Sequence, residues 1–253
     1  MIVASIVVAC ALAVGVVVFV SHIDSSSTSA ARSTTTTTTA STTTTRRPLG
    51  LFPPLSSPTL GGPVTLPPAG ASITGATPCP ATDGSSPRTT AFEQPPPMCI
   101  DPNVRLDATV VTNLGTFVIA LDPSSAPLSV NSFVVLARYH FYDGVDFHRI
   151  VTDFVAQAGD ANGTGGPGYA IPDEPPSRPY RIGTVAIANA GRNTNGSQFF
   201  IVLGNGDSIG PQYPLIGQIT VGLGVVTDQI GALGTVDGTP TGEATILRIT
   251  IAG

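Results

Sequence analysis

Residues 106–112 alternate apolar and polar positions, and residues 116–121 do so again, with Asn113-Leu114-Gly115 between them. Successive side chains of a strand point to opposite faces, so this pattern predicts a β-hairpin. The period then changes. Pro127 stands where a helix can start, with Ser125 or Ala126 at the cap. Val130, Phe133, Val134 and Ala137 recur at helical spacing as its buried stripe. After Asp143-Gly144, short apolar runs return at 147–151, 154–157, 184–189, 198–203 and 215–219, separated by Gly, Pro and Asn clusters. Residues 221–230 are expected to form a second short helix despite Gly222 and Gly224, and 245–251 a last strand. Many short strands with few helices predict a mainly β fold, an antiparallel barrel or sandwich.

Upstream of Val104 the pattern is different. Residues 2–20 are almost wholly apolar, broken only by Ser5 and Gly15. At about 1.5 Å per residue the run approaches the ~30 Å of a bilayer core. No basic residue precedes it, and the small residues that follow are Thr28-Ser29-Ala30-Ala31. A membrane anchor is therefore expected, with a cleaved signal peptide as the alternative. The missing basic start also suggests a true start codon further upstream. Residues 25–45 form a Ser/Thr tract, and 48–80 are rich in Pro, Gly and Thr. Such composition cannot bury a core and predicts a flexible, partly polyproline-II stalk. The expected organisation is a transmembrane segment at 1–21, a disordered stalk at 22–76, a Pro-rich segment with a cysteine pair at 77–104, and a folded domain at 105–253. Two signals oppose each other on orientation. Arg32, Arg46 and Arg47 follow the apolar run and favour a cytoplasmic C-terminal part. The stalk and the cysteine pair favour a domain held outside. The second reading is adopted: a single-pass cell-membrane protein with an extracytoplasmic domain, secreted if the first segment is cleaved.

Charge and cysteine usage narrow the function. Charged residues make up 11%, the net charge is −5, and all eleven basic residues are Arg. No basic run exceeds Arg46-Arg47, which argues against a nucleic-acid partner. Of the three cysteines, Cys10 lies in the apolar run as a small hydrophobe. Cys79 and Cys99 belong to no C-x-x-C unit and the His residues are not spaced as companions, so no metal is expected. In an oxidising compartment the two would form a disulfide closing a ~20-residue loop, worth about 3 kcal/mol. Two unrelated thiols are the alternative.

Several motifs fail on context. Gly163-Thr164-Gly165-Gly166-Pro167-Gly168 spells G-x-G-x-x-G, but Pro167, Pro172, Pro175, Pro176 and Pro179 follow, so no helix can start there to hold a pyrophosphate. Ser197 lacks the flanks of a nucleophile elbow. Asp173-Glu174 is expected to be a solvated loop rather than a catalytic carboxylate pair. Asn162-Gly163-Thr164 and Asn195-Gly196-Ser197 are glycosylation sequons by pattern only.

One ordered pair of blocks is specific. Phe147-His148-Arg149-Ile150-Val151 leads to Phe154-Val155-Ala156-Gln157-Ala158-Gly159-Asp160, and after the glycine loop come residues 188–201, Ala-Asn-Ala-Gly-Arg-Asn-Thr-Asn-Gly-Ser-Gln-Phe-Phe-Ile. This pair resembles the signature of the cyclophilin-type peptidyl-prolyl isomerases, and the resemblance runs from about Leu106 to Ala252. It implies a closed eight-stranded antiparallel barrel capped by two helices, with its site on the outer face. It implies Arg149 and Gln157 as catalytic residues. Phe154, Val155, Phe200 and Ile209 would line a proline pocket, Ala188 floor the groove, Asn189 pair with the substrate backbone, Gln198 sit beside Gln157, and Tyr213 reach the rim. His148 is read as structural. Three positions depart from the family: Val155 where Met is frequent, Ser208 where Trp is common, and Tyr213 where many members have His. The Trp change implies weak cyclosporin affinity.

The chemistry fits the residues. Rotation about an X-Pro bond faces a barrier of about 18–20 kcal/mol but breaks no covalent bond, so neither nucleophile, metal nor cofactor is required. Loss of conjugation gives the imide nitrogen a lone pair, to which an Arg can donate a charge-assisted hydrogen bond. The expected partners are proline-containing polypeptides, with the membrane reached through the N-terminal segment, and the expected state is a monomer that helps exported proteins fold. A proline-binding module without catalysis is the alternative, and a Thr/Pro cell-wall spacer a third reading.

Overall fold

The computed structural model describes residues 68–253. The apolar run and the Ser/Thr tract lie outside the described residues; among those described, no helix is long and apolar enough to cross a membrane. Ordered elements begin upstream of Val104. Strand β1 (Ala71–Ile73), inside the stretch read as stalk, pairs in parallel with β2 (Thr89–Phe92). The predicted hairpin follows as β3 (Asp107–Thr112) and β4 (Gly115–Leu121), with Thr112 opposite Gly115 across a two-residue turn. Gly115 holds φ at 140°, and a Cβ there would meet Val225 at 2.9 Å, so only glycine fits the turn. Ala108, Val110, Phe117 and Ile119 of the hairpin point inward and are fully buried.

Helix α1 (Pro127–Arg138) has Pro in its first turn and Val130, Phe133, Val134 and Ala137 in the core, as the spacing predicts. Ala126 takes the N-cap position, one of the two expected. It offers no side-chain cap, and the Ser125 hydroxyl donates to Asp122 instead at 2.8 Å. The Glu174 carboxylate arrives from a distant loop and accepts from the backbone N–H groups of Leu128 and Ser129 at 2.9 and 2.8 Å. A carboxylate at a helix N-terminus satisfies orphan donors and complements the macrodipole. The Asp173-Glu174 pair is thus not a merely solvated loop. Asp173 accepts from the Asn193 N–H at 2.9 Å and the Asn195 amide at 2.8 Å.

The chain continues through β5 (Val145–Asp146), β6 (Arg149–Val151), β7 (Val155–Ala158), β8 (Thr184–Ile187), β9 (Phe199–Val202), β10 (Leu215–Val221) and β11 (Thr245–Ala252). These strands and the hairpin form one sheet in the order β5-β11-β3-β4-β10-β8-β9-β7-β6, antiparallel throughout. Its two edge strands are separated by Phe147-His148 alone, so the sheet must curl to bring its ends together. The ladder has nine strands rather than eight: the run expected at 147–151 is strand only from Arg149, as β6, and a separate β5 precedes it across the buried Phe147. Among the described residues β5 and β6 are not paired, so the hydrogen-bonded ladder is curled but open there, unlike the closed barrel expected. The second helix is also shorter than expected. Val221 remains in β10, Gly222 turns with φ at 74°, and a π-helical turn covers Val225–Ile230.

Inside the curl, Phe133, Tyr142, Phe147 and Phe199 stack edge-on or tilted, with Phe133–Phe199 centroids 5.6 Å apart and Tyr142–Phe199 5.7 Å apart. Outside it, residues 68–104 form a strap over α1. The Thr89 N–H donates to the Tyr139 carbonyl at 2.9 Å, and the Tyr139 hydroxyl donates to the Pro78 carbonyl at 2.9 Å. Asn131 accepts from the Cys99 N–H at 2.7 Å and donates to the Pro97 carbonyl at 2.9 Å. This cover explains why α1 is buried along the whole of Ser129 to Ala137, not along one stripe. Cys79 and Cys99 are joined in a disulfide with Cα atoms 5.5 Å apart. The strap has no strand pattern in its sequence because its strands are held by tertiary contacts.

Candidate active site

Strands β7, β8 and β9 carry apolar side chains on both faces, and the period of two divides these between two clusters. Ala156, Ala158, Val185, Ile187, Phe199 and Ile201 enter the core. Their neighbours Val155, Ala186, Phe200 and Val202 point the other way and build a second cluster with Tyr180 and Leu215. Phe154, Ala188, Ile209 and Tyr213 pack on its rim. A recess of about 120 Å³ opens on this outer face, lined by Arg149, Phe154, Val155, Gln157, Ala188, Asn189, Phe200, Ile209 and Tyr213. That is close to the roughly 150 Å³ of an engineered cavity that admits a benzene ring. It suits one small ring and little more.

Nine of the ten residues expected at the site therefore line one recess. The tenth, Gln198, stands beside it in an adjoining recess with Gly165, Asn189 and Thr194. Arg149 starts β6 directly opposite Gln157 of β7 and is exposed. Neither ion pair among the described residues, His140–Asp143 and Arg178–Asp122, involves Arg149. The Gln157 amide donates to the Gln198 side-chain oxygen at 2.7 Å. The Asn189 amide is engaged by the Asn195 side chain at 3.0 Å and the Gln212 carbonyl at 3.1 Å, which steadies the loop that carries it.

Tyr180 is a site residue that no motif marks. Its hydroxyl donates to the Tyr213 carbonyl at 2.8 Å and accepts from the Tyr213 N–H at 3.2 Å. Its ring leans on Phe200 with centroids 6.3 Å apart, while Phe200 meets Tyr213 edge-on at 5.3 Å. Burial pushes the Tyr180 phenol up to about 12, the bond to the Tyr213 backbone pulling the other way. One residue thereby backs the pocket floor and fixes its rim. Tyr180 follows Arg178-Pro179 in a stretch without periodicity, so only the tertiary contacts reveal it.

Asn195 was also missed. Fully buried, it donates to the Ile171 and Pro172 carbonyls at 3.3 and 3.1 Å besides its bond to Asp173. Its sequon is structural, and so is that of Asn162, whose amide donates to the Thr90 carbonyl at 3.1 Å. Ser197 is fully buried and donates to the Gly159 carbonyl at 2.6 Å, so it is not presented at the surface as a nucleophile. The glycine loop turns through positive φ at Gly163, Gly165 and Gly168 and opens no helix.

Comparison with known proteins places this arrangement. The family model described as cyclophilin type peptidyl-prolyl cis-trans isomerase matches residues 108–251. A peptidyl-prolyl cis-trans isomerase of Helicobacter pylori is 40% identical over 128 residues, covering 49% of this chain and 78% of the relative. A probable peptidyl-prolyl cis-trans isomerase B of Mycobacterium tuberculosis is 36% identical over 167 residues, 57% of this chain and 54% of that one. Among solved structures, a Cryptosporidium parvum cyclophilin type isomerase determined in the presence of the dipeptide Ala-Pro has a TM-score of 0.54 and 28% identity, covering 58% of this chain and 99% of that one. The chain belongs to the cyclophilin-type peptidyl-prolyl cis-trans isomerase family.

Proposed function

We propose that the outer-face recess accelerates cis/trans rotation about X-Pro bonds, with Arg149 as the group that stabilises the twisted amide. The observation that carries this reading is an exposed guanidinium, in neither ion pair of the described residues, at the mouth of an apolar recess of single-ring size. The Pro ring sits against Phe154, Val155, Phe200 and Ile209, with Tyr213 at the rim. In the planar ground state the imide nitrogen is conjugated and a poor acceptor. In the twisted state its lone pair is exposed, and the guanidinium donates to it. The contact strengthens only in the transition state, which is the condition for raising kcat. Gln157 and Gln198, joined to each other, form the neighbouring polar wall that orients the substrate main chain.

The presence of Ala-Pro in the Cryptosporidium parvum structure supports a proline-containing peptide as the ligand. The direct test is exchange NMR on an Ala-Pro peptide with the full chain. Faster cis/trans exchange together with shifts at Phe200 and Ala188 is expected; unchanged exchange would refute the reading.

The wider setting is part of the same proposal. We read residues 1–21 as an anchor, 22–67 as a stalk leading to the strap, and the curled sheet as a barrel closing through Phe147-His148, capped by α1 and the π-helical turn. The domain is a monomer outside the membrane that helps exported proteins fold. The paired Cys79 and Cys99 support an oxidising compartment. Thiol labelling of intact cells after reduction tests this; labelling that needs lysis contradicts it.

A further inference from the structure

Residues 68–104 lie outside the family match at 108–251, so the strap is an addition to the common domain, yet it touches the domain at a telling place. The Phe92 N–H donates to the Pro167 carbonyl at 2.8 Å, and the Phe92 ring meets Tyr169 and Tyr139 edge-on at 6.2 and 5.5 Å. Gly168 has φ at 107°, and a Cβ there would lie 2.2 Å from the Phe92 carbonyl oxygen, so strap and glycine loop are in direct backbone contact. Asn162, at the start of that loop, donates to the Thr90 carbonyl at 3.1 Å. On its other side the loop receives the active-site wall, since the Gln198 amide donates to the Gly165 carbonyl at 3.0 Å. Gln198 in turn accepts from Gln157 at 2.7 Å, opposite Arg149. A continuous series of contacts thus runs from β2 through the glycine loop to the polar wall of the recess.

The far end of the strap is fastened. Its polypeptide leaves β1, passes Cys79, returns through β2 and reaches Cys99, whose N–H is held by Asn131 of α1. The disulfide closes this circuit, and Thr89, Thr90 and Phe92 are buried within it. Cys79 is exposed and Cys99 half-buried, so a small reductant can reach the bond.

We infer that the strap is a positioning element of the active site: latched by Cys79–Cys99, it holds the glycine loop in the conformation that orients Gln198 and Gln157, and opening the latch lowers turnover. This rests on the isomerase reading. A dithiol opens the latch by giving two electrons and two protons, so that the Cys79–Cys99 bond becomes two thiols and the dithiol closes to its own disulfide. The apolar wall of the recess, Phe154, Val155, Phe200 and Ile209, contains no strap residue, so opening the latch acts on Gln157 at the polar side and leaves the grip on the Pro ring in place. The effect is therefore expected in kcat and not in KM.

The experiment measures kcat and KM by exchange NMR on an Ala-Pro peptide, using the full chain oxidised, dithiol-reduced, as Cys79→Ser/Cys99→Ser, and as Asn162→Asp. The last variant removes the donor to Thr90 but keeps the oxygen that accepts from the Thr164 hydroxyl at 2.6 Å. Reduction and the double variant are expected to lower kcat roughly three- to tenfold with KM unchanged, and to move the side-chain amide signals of Gln157 and Gln198. Asn162→Asp is expected to do the same in part with the disulfide intact. Reduced, folded protein that turns over at the oxidised rate with unmoved Gln signals overturns the inference. If reduction unfolds the chain, Asn162→Asp decides alone, and an unchanged kcat overturns it. An oxidised chain that gives no acceleration is a different result, and sinks the isomerase reading itself.

Discussion

Tyr180 and Phe200 show what single residues contribute to this site. Phe200 lines the recess with the Tyr180 ring tilted against it, and Tyr213 stays at the rim because the same Tyr180 hydroxyl bonds both its N–H and its carbonyl. Tyr180→Phe keeps the ring and deletes both hydrogen bonds. It is expected to raise KM several-fold with little change in folding, since a loosened rim grips the Pro ring less well. Unchanged steady-state constants would show that Tyr213 holds its place unaided. Phe200→Ala removes the floor itself and is expected to destabilise the domain by about 3–5 kcal/mol, so its kinetics have to be read beside a thermal melt. Arg149, Gln157 and Phe200 were legible in the sequence because each sits inside a long ordered motif. Tyr180, Asn195 and Glu174 were not. Each acts across more than twenty residues of sequence, on backbone groups that no side-chain pattern identifies.

At the scale of elements, α1 depends on a partner from elsewhere in the chain. Glu174→Ala leaves the first-turn N–H groups of α1 uncapped and is expected to cost about 1 kcal/mol, measured by denaturant unfolding. An unaltered midpoint would mean that water serves as well. Two carboxylates near the ends of α1 act in opposite directions with pH. Burial pushes Asp143 up, with His140 and Arg88 opposing it. Its folded state therefore favours the protonated form, and the stability it contributes is lost as pH rises through the folded value. Burial also acts on Asp122, but the hydroxyls of Ser125 and Ser124 and the Arg178 guanidinium outweigh it and hold the carboxyl below its usual range. Asp122 stabilises above its unfolded value and ceases to as pH falls through the folded one. The melting temperature of Asp122→Asn should therefore fall below that of the unsubstituted chain at neutral pH and converge with it in strong acid. Asp143→Asn should gain relative to it as pH rises from the acid range. Curves parallel to the unsubstituted chain would contradict both assignments. The hairpin and the α1 stripe were readable because alternation and helical spacing are local signals. The split at Phe147 was not, because it depends on which residues the curled sheet must swallow.

The described residues form two apolar clusters, one inside the curl and one outside, and the recess sits on the outer one. Two-faced burial of β7 to β9 is what allows it, and in sequence those strands read only as short apolar runs. The strap was the least legible part. Its Pro and Gly content reads as stalk up to residue 76 and as a patternless Pro-rich segment beyond, and it becomes ordered through Asn131, Tyr139 and the glycine loop. The claim on which the rest depends concerns one guanidinium. Exchange NMR on an Ala-Pro peptide, with the full chain as it stands and as Arg149→Ala and Arg149→Lys, tests it most directly. Arg149→Ala is expected to lower kcat about 100-fold with KM nearly unchanged, the scale seen when a preorganised donor to a transition state is removed. Arg149→Lys should recover only part of that, because an ammonium lacks the planar fork. An Arg149→Ala chain that exchanges the peptide as fast as the unsubstituted one would contradict the account.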